Sequence, residues 1–393
     1  MTSVTDGPVP VLWICGPPGV GKSTVSWQLF SELSQAGVNV AFADTDQLCM
    51  CYPAPPDDPS REQLKARNVG AMIPQYRTAG ARCVVLNGVL DPKLGVQREL
   101  MPDADVTVVR LRADREEVVQ RFTGRHGQLE DLTELLREIL DEADGMDGSD
   151  VADTCIETTG VPASQVAGLV RDSRRDWPGF SDTIRQDDVS VSESAYPEAI
   201  DGGGRIVLIC GPTGVGKSTI AFLLYMQYLN AGLTAGYVDL DQISFISPVP
   251  QSDPGNHRLK ARNLAAMWRN YRAAGATHLV AAGPIDSSAA LQVYIDALPG
   301  ADITLCRLHA GPEELTRRVM SRGAGGSWPQ PGDPLRGKAT DYLRAVARRA
   351  ISGDAAFERE RLGSVRIDTD GRTAEESAGL VAAATRTPQP PGG

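Results

Sequence analysis

The chain has no apolar run approaching the roughly 18 residues of a membrane-spanning helix. Its first 25 residues also lack a basic segment followed by a long apolar stretch. Both absences argue against membrane insertion or export and lead us to expect a cytoplasmic protein. Seven cysteines in 393 residues do not make a disulfide framework. Only Cys15 and Cys210 hold equivalent places, each inside an apolar run, so buried free thiols are expected. Cys49 and Cys51 have Ser244 and Ile246 as counterparts, and no His or Cys is spaced to complete a metal site with them. Aromatic residues are scarce at 5%, and the net charge is −11, which argues against a general nucleic-acid or membrane-surface binder. Any basic site must be local.

Phosphate-binding loops, by contrast, occur twice, as Gly16-Pro17-Pro18-Gly19-Val20-Gly21-Lys22-Ser23-Thr24 and Gly211-Pro212-Thr213-Gly214-Val215-Gly216-Lys217-Ser218-Thr219. The offset is 211 − 16 = 195 residues, and the same 195 relates Asp44-Thr45-Asp46-Gln47 to Asp239-Leu240-Asp241-Gln242. It also relates Leu64-Lys65-Ala66-Arg67-Asn68 to Leu259-Lys260-Ala261-Arg262-Asn263. Further on the offset becomes 197, as Arg110-Leu111 recurs in Arg307-Leu308, so two residues are inserted in a loop. Self-similarity of this length reads as one nucleotide-binding unit present twice in tandem.

Each copy begins with a short apolar strand that runs into the loop, then a helix that stops at Gly37 or Gly232. A second strand delivers the paired aspartates. A loop rich in Pro and Asp (residues 52–60 or 247–255), a helix carrying Arg67 or Arg262, and an apolar third strand follow. The order β-α-β-α-β predicts an α/β fold of two P-loop NTPase domains, each a parallel sheet with helices on both faces. The expected bounds are residues 8–170 and 205–384, with 171–204 a mostly flexible linker and 385–393 a disordered tail.

In this loop pattern the glycines let backbone N–H groups turn around the β-phosphate, and Lys22 or Lys217 reaches the β- and γ-oxygens. Gly16, Gly19, Gly21, Ser23 and Thr24, with Gly211, Gly214, Gly216, Ser218 and Thr219, form the expected nucleotide cradles. Ser23 with Asp44, and Ser218 with Asp239, are the expected Mg²⁺ ligands, while Asp46 and Asp241 stand as acceptor bases. Loop carboxylates solvated at a strand end are the plainer alternative for these aspartates. Arg121 and Arg125, and likewise Arg318 and Arg322, lie four apart on one helix face, where they can close over ATP. Pairing with nearby glutamates explains them without function. Arg67 and Arg262 are candidate clamps for an anionic acceptor, with a solvated helix face as the alternative. The third strands end in Asn87-Gly88 and Ala282-Gly283 rather than a carboxylate, which favours transfer to a bound acceptor over regulated hydrolysis.

With these residues the chain resembles the small P-loop kinases, the group of shikimate kinase, adenylylsulfate kinase, chloramphenicol phosphotransferase and nucleoside monophosphate kinases. The resemblance covers nearly all of both copies. It implies ATP at each loop, an aspartate pair serving Mg²⁺ and the acceptor hydroxyl, an arginine near the acceptor, and an arginine-bearing lid. The acceptor signatures of those enzymes are not matched. The resulting expectation is an ATP- and Mg²⁺-dependent phosphotransferase acting on a hydroxyl or phosphate of a small molecule. An ATP-binding switch without an acceptor, or a polynucleotide-end kinase, are the alternatives. The two lids differ in charge, residues 130–153 being acidic and 336–349 basic, which suggests either contact between the domains or different substrates.

Overall fold

The computed structural model describes residues 7–126, 132–180, 203–326 and 333–385. Elements are numbered in chain order. The first repeat supplies β1 (Val9–Cys15), α1 (Lys22–Gln35), β2 (Val40–Asp44), β3 (Cys51–Tyr52), α2 (Glu62–Thr78), β4 (Cys83–Asn87), β5 (Ala104–Arg112), α3 (Arg115–His126), α4 (Leu132–Asp147), β6 (Thr154–Glu157) and α5 (Ala163–Ser173). The second supplies β7 (Arg205–Cys210), α6 (Lys217–Asn230), β8 (Ala235–Asp239), β9 (Phe245–Ser247), α7 (His257–Ala273), β10 (His278–Ala282), α8 (Ser288–Ala297), β11 (Asp302–His309), α9 (Pro312–Gly323), α10 (Thr340–Glu360), β12 (Val365–Asp368) and α11 (Ala374–Thr385).

The chain divides into two compact units. The first holds the described residues of Met1–Cys49, Asp57–Ala195 and Ser244–Leu259; the second holds those of Met50–Pro56, Tyr196–Ile243 and Lys260–Gly393. In the first, the strand order is β6-β5-β1-β4-β2-β9. The first five strands are parallel, with Val11 opposite Val84 on one side and Val106 on the other. Strands such as β1, β2 and β4 are apolar at nearly every position because helices cover both faces of the sheet, leaving no solvent side to favour alternation. The second unit has the matching order β12-β11-β7-β10-β8-β3. In each unit the strand carrying the phosphate loop is central. Its carboxyl end opens where the connections turn from one side of it to the other, the usual place for a ligand in such sheets.

The expectation of wholly parallel sheets needs correction. Each sheet ends in an antiparallel edge strand, β9 on β2 and β3 on β8. These edges come from the segments read as Pro- and Asp-rich loops, and each is supplied by the other repeat's sequence. Two or three residues carry no readable period, and both strands end at a cis peptide, Tyr52–Pro53 and Ser247–Pro248. Side chains hold the exchange in place. Phe245 packs edge-on against Trp27 and Phe42, with ring centroids 5.0 and 5.7 Å away, while Met50 accepts a hydrogen bond from Tyr237 N and packs on the second core.

Residues 171–180, expected in the linker, are structured. Helix α5 continues to Ser173, and Trp177 is 1% exposed within the first core with Phe180 4.8 Å from its ring. Residues 181–202, the rest of the expected linker up to β7's approach, lie outside the described residues, as do 386–393 of the expected tail. Among the described residues no helix is long and apolar enough to cross a membrane.

Candidate functional site

Each phosphate loop leaves the end of a buried strand and turns directly into a helix. Gly16, Gly19 and Gly21 sit at φ of 140, 91 and 97°, and Gly211, Gly214 and Gly216 at 143, 87 and 101°. At Gly16 a Cβ would lie 2.4 Å from the Leu111 carbonyl oxygen, and at Gly211 it would lie 2.6 Å from that of Leu308. Only glycine fits where the loop crosses the neighbouring strand. Gly21 and Gly216 cap α1 and α6, so the free N–H groups of the first turn face the same hollow. Lys22 and Lys217 begin those helices. Lys22 Nζ donates to the Pro17 carbonyl at 3.0 Å, and Lys217 Nζ to those of Gly211 and Pro212 at 3.0 and 3.1 Å. Burial pulls both ammonium groups below the usual lysine range. Thr24 and Thr219 are exposed on the first turn.

Asp44 and Asp239 end β2 and β8, and Asp46 and Asp241 lie in the turns that follow. Asp44 is buried, accepts Asp46 N at 3.0 Å, and is joined to the loop through Asn87, whose Nδ2 donates to Ser23 Oγ at 3.2 Å. Burial, reinforced by the charge of Asp46, pushes the Asp44 carboxyl up to about 6. In the second unit Ser218 Oγ donates directly to Asp239 Oδ2 at 2.7 Å, and Asp239 accepts Asp241 N at 3.0 Å. Its carboxyl is likewise raised, first by burial and then by Asp241. The direct bond forms there because Ala282 stands where the first unit has Asn87.

The side chains that meet the second aspartates are lysines that the sequence reading passed over. Lys65, 3% exposed, lies 2.6 Å from Glu62 and 3.9 Å from Asp46, and also donates to the Val89 carbonyl at 2.8 Å. Lys260 pairs with Asp241 at 2.9 Å. Arg67, two residues on, is exposed, and Arg262 is half-buried. A helical face puts Lys65 in the stripe with Asn68, Val69, Met72 and Tyr76, the residues α2 buries, and Arg67 outside it. That spacing is the signal that could have found the lysines. The stripe also carries Asn68 and Asn263, whose Nδ2 atoms donate to Leu48 and Ile243 carbonyls at 2.6 Å and fix the turn after each aspartate pair.

Arg121 and Arg318 hold the loops from behind. Arg121 donates to the Val20 carbonyl at 3.3 Å, to the Thr158 carbonyl at 3.0 Å, and to the Glu117 carboxylate. Arg318 repeats the pattern with Val215, Thr369 and Glu314 at 2.8, 3.0 and 2.6 Å. Arg322 pairs with Asp333, whose side chain is 6% exposed, at 2.9 Å, and its charge reaches Lys217. The Arg125 side chain lies outside the described residues.

A further carboxylate, absent from the sequence reading, enters the first site. Glu142 of α4 is close enough for its charge to act on Lys22, Asp46, Lys65 and Glu62. Its Oε1 is buried with no hydrogen-bond partner among the described residues. The second unit has a cavity of about 260 Å³ beside Gly211, Pro212 and Thr213, with Asp286, Arg349 and Gly353 in its lining.

A family model described as an AAA domain matches residues 12–142. No curated protein matches the chain. Among solved structures it is similar to a sugar kinase from Janibacter sp. at 14% identity, over 46% of this chain and 100% of that one, with a TM-score of 0.32. It is similar to APS kinase of Mycobacterium tuberculosis in complex with AMPPNP and APS at 20% identity, over 46% of this chain and 96% of that one, with a TM-score of 0.29. Shikimate kinase from Acinetobacter baumannii in complex with shikimate is 23% identical over 43% of this chain and 94% of its own, with a TM-score of 0.29.

Proposed function

We propose that this protein is an ATP- and Mg²⁺-dependent phosphotransferase that moves the γ-phosphoryl group to a hydroxyl or phosphate of a small acceptor. The observation that carries the reading is the strand-end carboxyl beside the loop serine in both units, direct in Ser218–Asp239 and bridged by Asn87 in Ser23–Asp44. A buried carboxyl raised to about 6 fits a cation site, since an arriving cation compensates the cost of its charge. The buried Oδ1 of Asn87 and Oγ1 of Thr45, which lack partners among the described residues, fit it too. Ser23 with Asp44, and Ser218 with Asp239, would hold Mg²⁺, which when bound supplies charge neutralisation on the phosphates.

The remaining work falls to the chain itself. The loop N–H groups and Lys22 or Lys217 orient the phosphates, and Arg121 or Arg318 keeps the loop carbonyl of Val20 or Val215 turned away from them. Asp46 and Asp241, fixed by Lys65 and Lys260 but open to solvent, are positioned to take the proton of an acceptor hydroxyl. The test is ATP consumption with Mg²⁺ against pooled metabolites, beside Lys22→Ala, Lys217→Ala and the double variant. A pool that stimulates ADP release, with loss in the double variant, supports transfer. ATP binding with no pool stimulating turnover would replace it with the switch reading.

A further inference from the structure

The two phosphate sites differ in helices α4 and α10. Strand β5 and strand β11 place equivalent arginines against them, Arg110 pairing with Asp147 of α4 and Arg307 with Glu358 of α10. That match sets the register of one helix on the other. Buried Met146 then corresponds to buried Phe357, and buried Ile139 to buried Ala350, so the core-facing residues agree. In the same register Glu138 corresponds to Arg349 and Glu142 to Gly353.

Of these positions, Arg349, Gly353 and Glu142 lie beside the phosphate loops. Gly353 and Arg349 line the cavity beside Gly211, Pro212 and Thr213. Glu142 instead lies near enough for its charge to act on Lys22, and one of its oxygens is buried without a partner among the described residues. Where the second unit has space, with Arg349 across it from the single carboxylate of Asp286, the first has the added carboxylate of Glu142 beside Lys22 and Lys65. Arg349 is exposed at the cavity and makes no ion pair among the described residues.

We infer that the two units admit opposite charge beside their phosphate loops: the second holds an anionic group of its acceptor against Arg349, and the first, through Glu142, excludes anions and admits only a neutral or cationic acceptor. The assignment deepens the phosphotransferase reading and rests on it for the word acceptor. A pair of carboxylate and phosphate charges a few ångströms apart in a partly buried site is enough to govern which ligand enters. Guanidinium at the other site offers paired donors to a carboxylate or phosphate.

The experiment uses the whole chain and inorganic phosphate as probe, titrated by calorimetry into protein saturated with ADP and Mg²⁺. Lys217→Ala leaves nucleotide at the first loop, and Lys22→Ala leaves it at the second. Phosphate should bind the second unit's ADP complex at least about tenfold more tightly than the first's, a difference of about 1.4 kcal/mol. Arg349→Gln should remove that preference while Arg349→Lys keeps part of it, and Glu142→Gln should raise phosphate affinity in the first unit. Equal affinities, no phosphate binding in the second unit, or indifference to Arg349→Gln would overturn the inference. Thermal unfolding of each variant shows that it is folded. Because no turnover is read, absence of acceptor-stimulated ATP consumption would refute the transfer reading separately, leaving the charge difference standing or falling on the titration.

Discussion

Asp44→Asn should make the nucleotide-free protein more stable at neutral pH. Asp44 is an acid whose native carboxyl is raised from 3.8 to about 6, chiefly by burial. The native state therefore binds more protons than the unfolded one between those values, and stability falls as pH rises through that window. Above it the full cost of the buried charge is present, and a rise from 3.8 to about 6 corresponds to about 3 kcal/mol. Asparagine keeps an oxygen to accept Asp46 N and removes the charge. For a unit of this size the gain is about 6–12 °C in Tm. The assay is unfolding of parent and variant from pH 3 to 8 without nucleotide. The difference should be present at pH 7 and shrink to almost nothing toward pH 3, where the parent carboxyl is mostly neutral in both states. At equal, subsaturating ATP with Mg²⁺ the first unit of the parent should be stabilised more than that of the variant, which keeps the loop and Lys22 but loses one Mg²⁺ ligand. A variant no more stable at pH 7, or one whose advantage persists unchanged at pH 3, would show that Asp44 carries no such burden.

Other substitutions separate the roles assigned above. Lys65→Met leaves Glu62 and Asp46 without their buried cation and should cost about 3 kcal/mol in urea unfolding. Lys260→Met should cost less, because Asp241 is 54% exposed and water can take over. Gly16→Ala drives a Cβ into the Leu111 carbonyl at a positive φ, so ATP binding at the first loop should be lost, measured by nucleotide titration. Trp177→Ala should destabilise the first unit by about 4 kcal/mol; a change near zero would return residues 171–180 to the linker.

Much of the fold was legible because parallel strands buried on both faces are continuous apolar runs, and β1, β4, β7 and β10 run straight into Gly16, Gly88, Gly211 and Gly283. The loops and aspartate pairs were legible because their chemistry needs particular residues at fixed spacing. Lys65 was hidden by a different cause: a buried charge in an apolar helix stripe reads as an interruption until its partners, Glu62 and Asp46, are brought from the preceding turn of the helix and from the turn after β2. Glu142 lies 142 − 22 = 120 residues from Lys22 of the loop, and no local pattern links the two. Arg121 and Arg318 were recognised as a recurring pair, but their partners are backbone carbonyls, which a sequence does not label.

The crossed edge strands bear on what a shortened chain can be. A polypeptide ended in the 181–202 region would keep β1, β2 and β4 but lose Phe245 and the row of backbone bonds that Val40, Ala41 and Phe42 share with β9. Its β2 would present open N–H and C=O groups, and its own Met50–Tyr52 segment would have no β8 to join. An unpaired apolar border of that kind recruits whatever strand is nearest, including the same segment of another molecule. Either repeat expressed alone should therefore gather into pairs or aggregates, and the missing segment, supplied as a peptide spanning residues 244–259, should return the first to a single species.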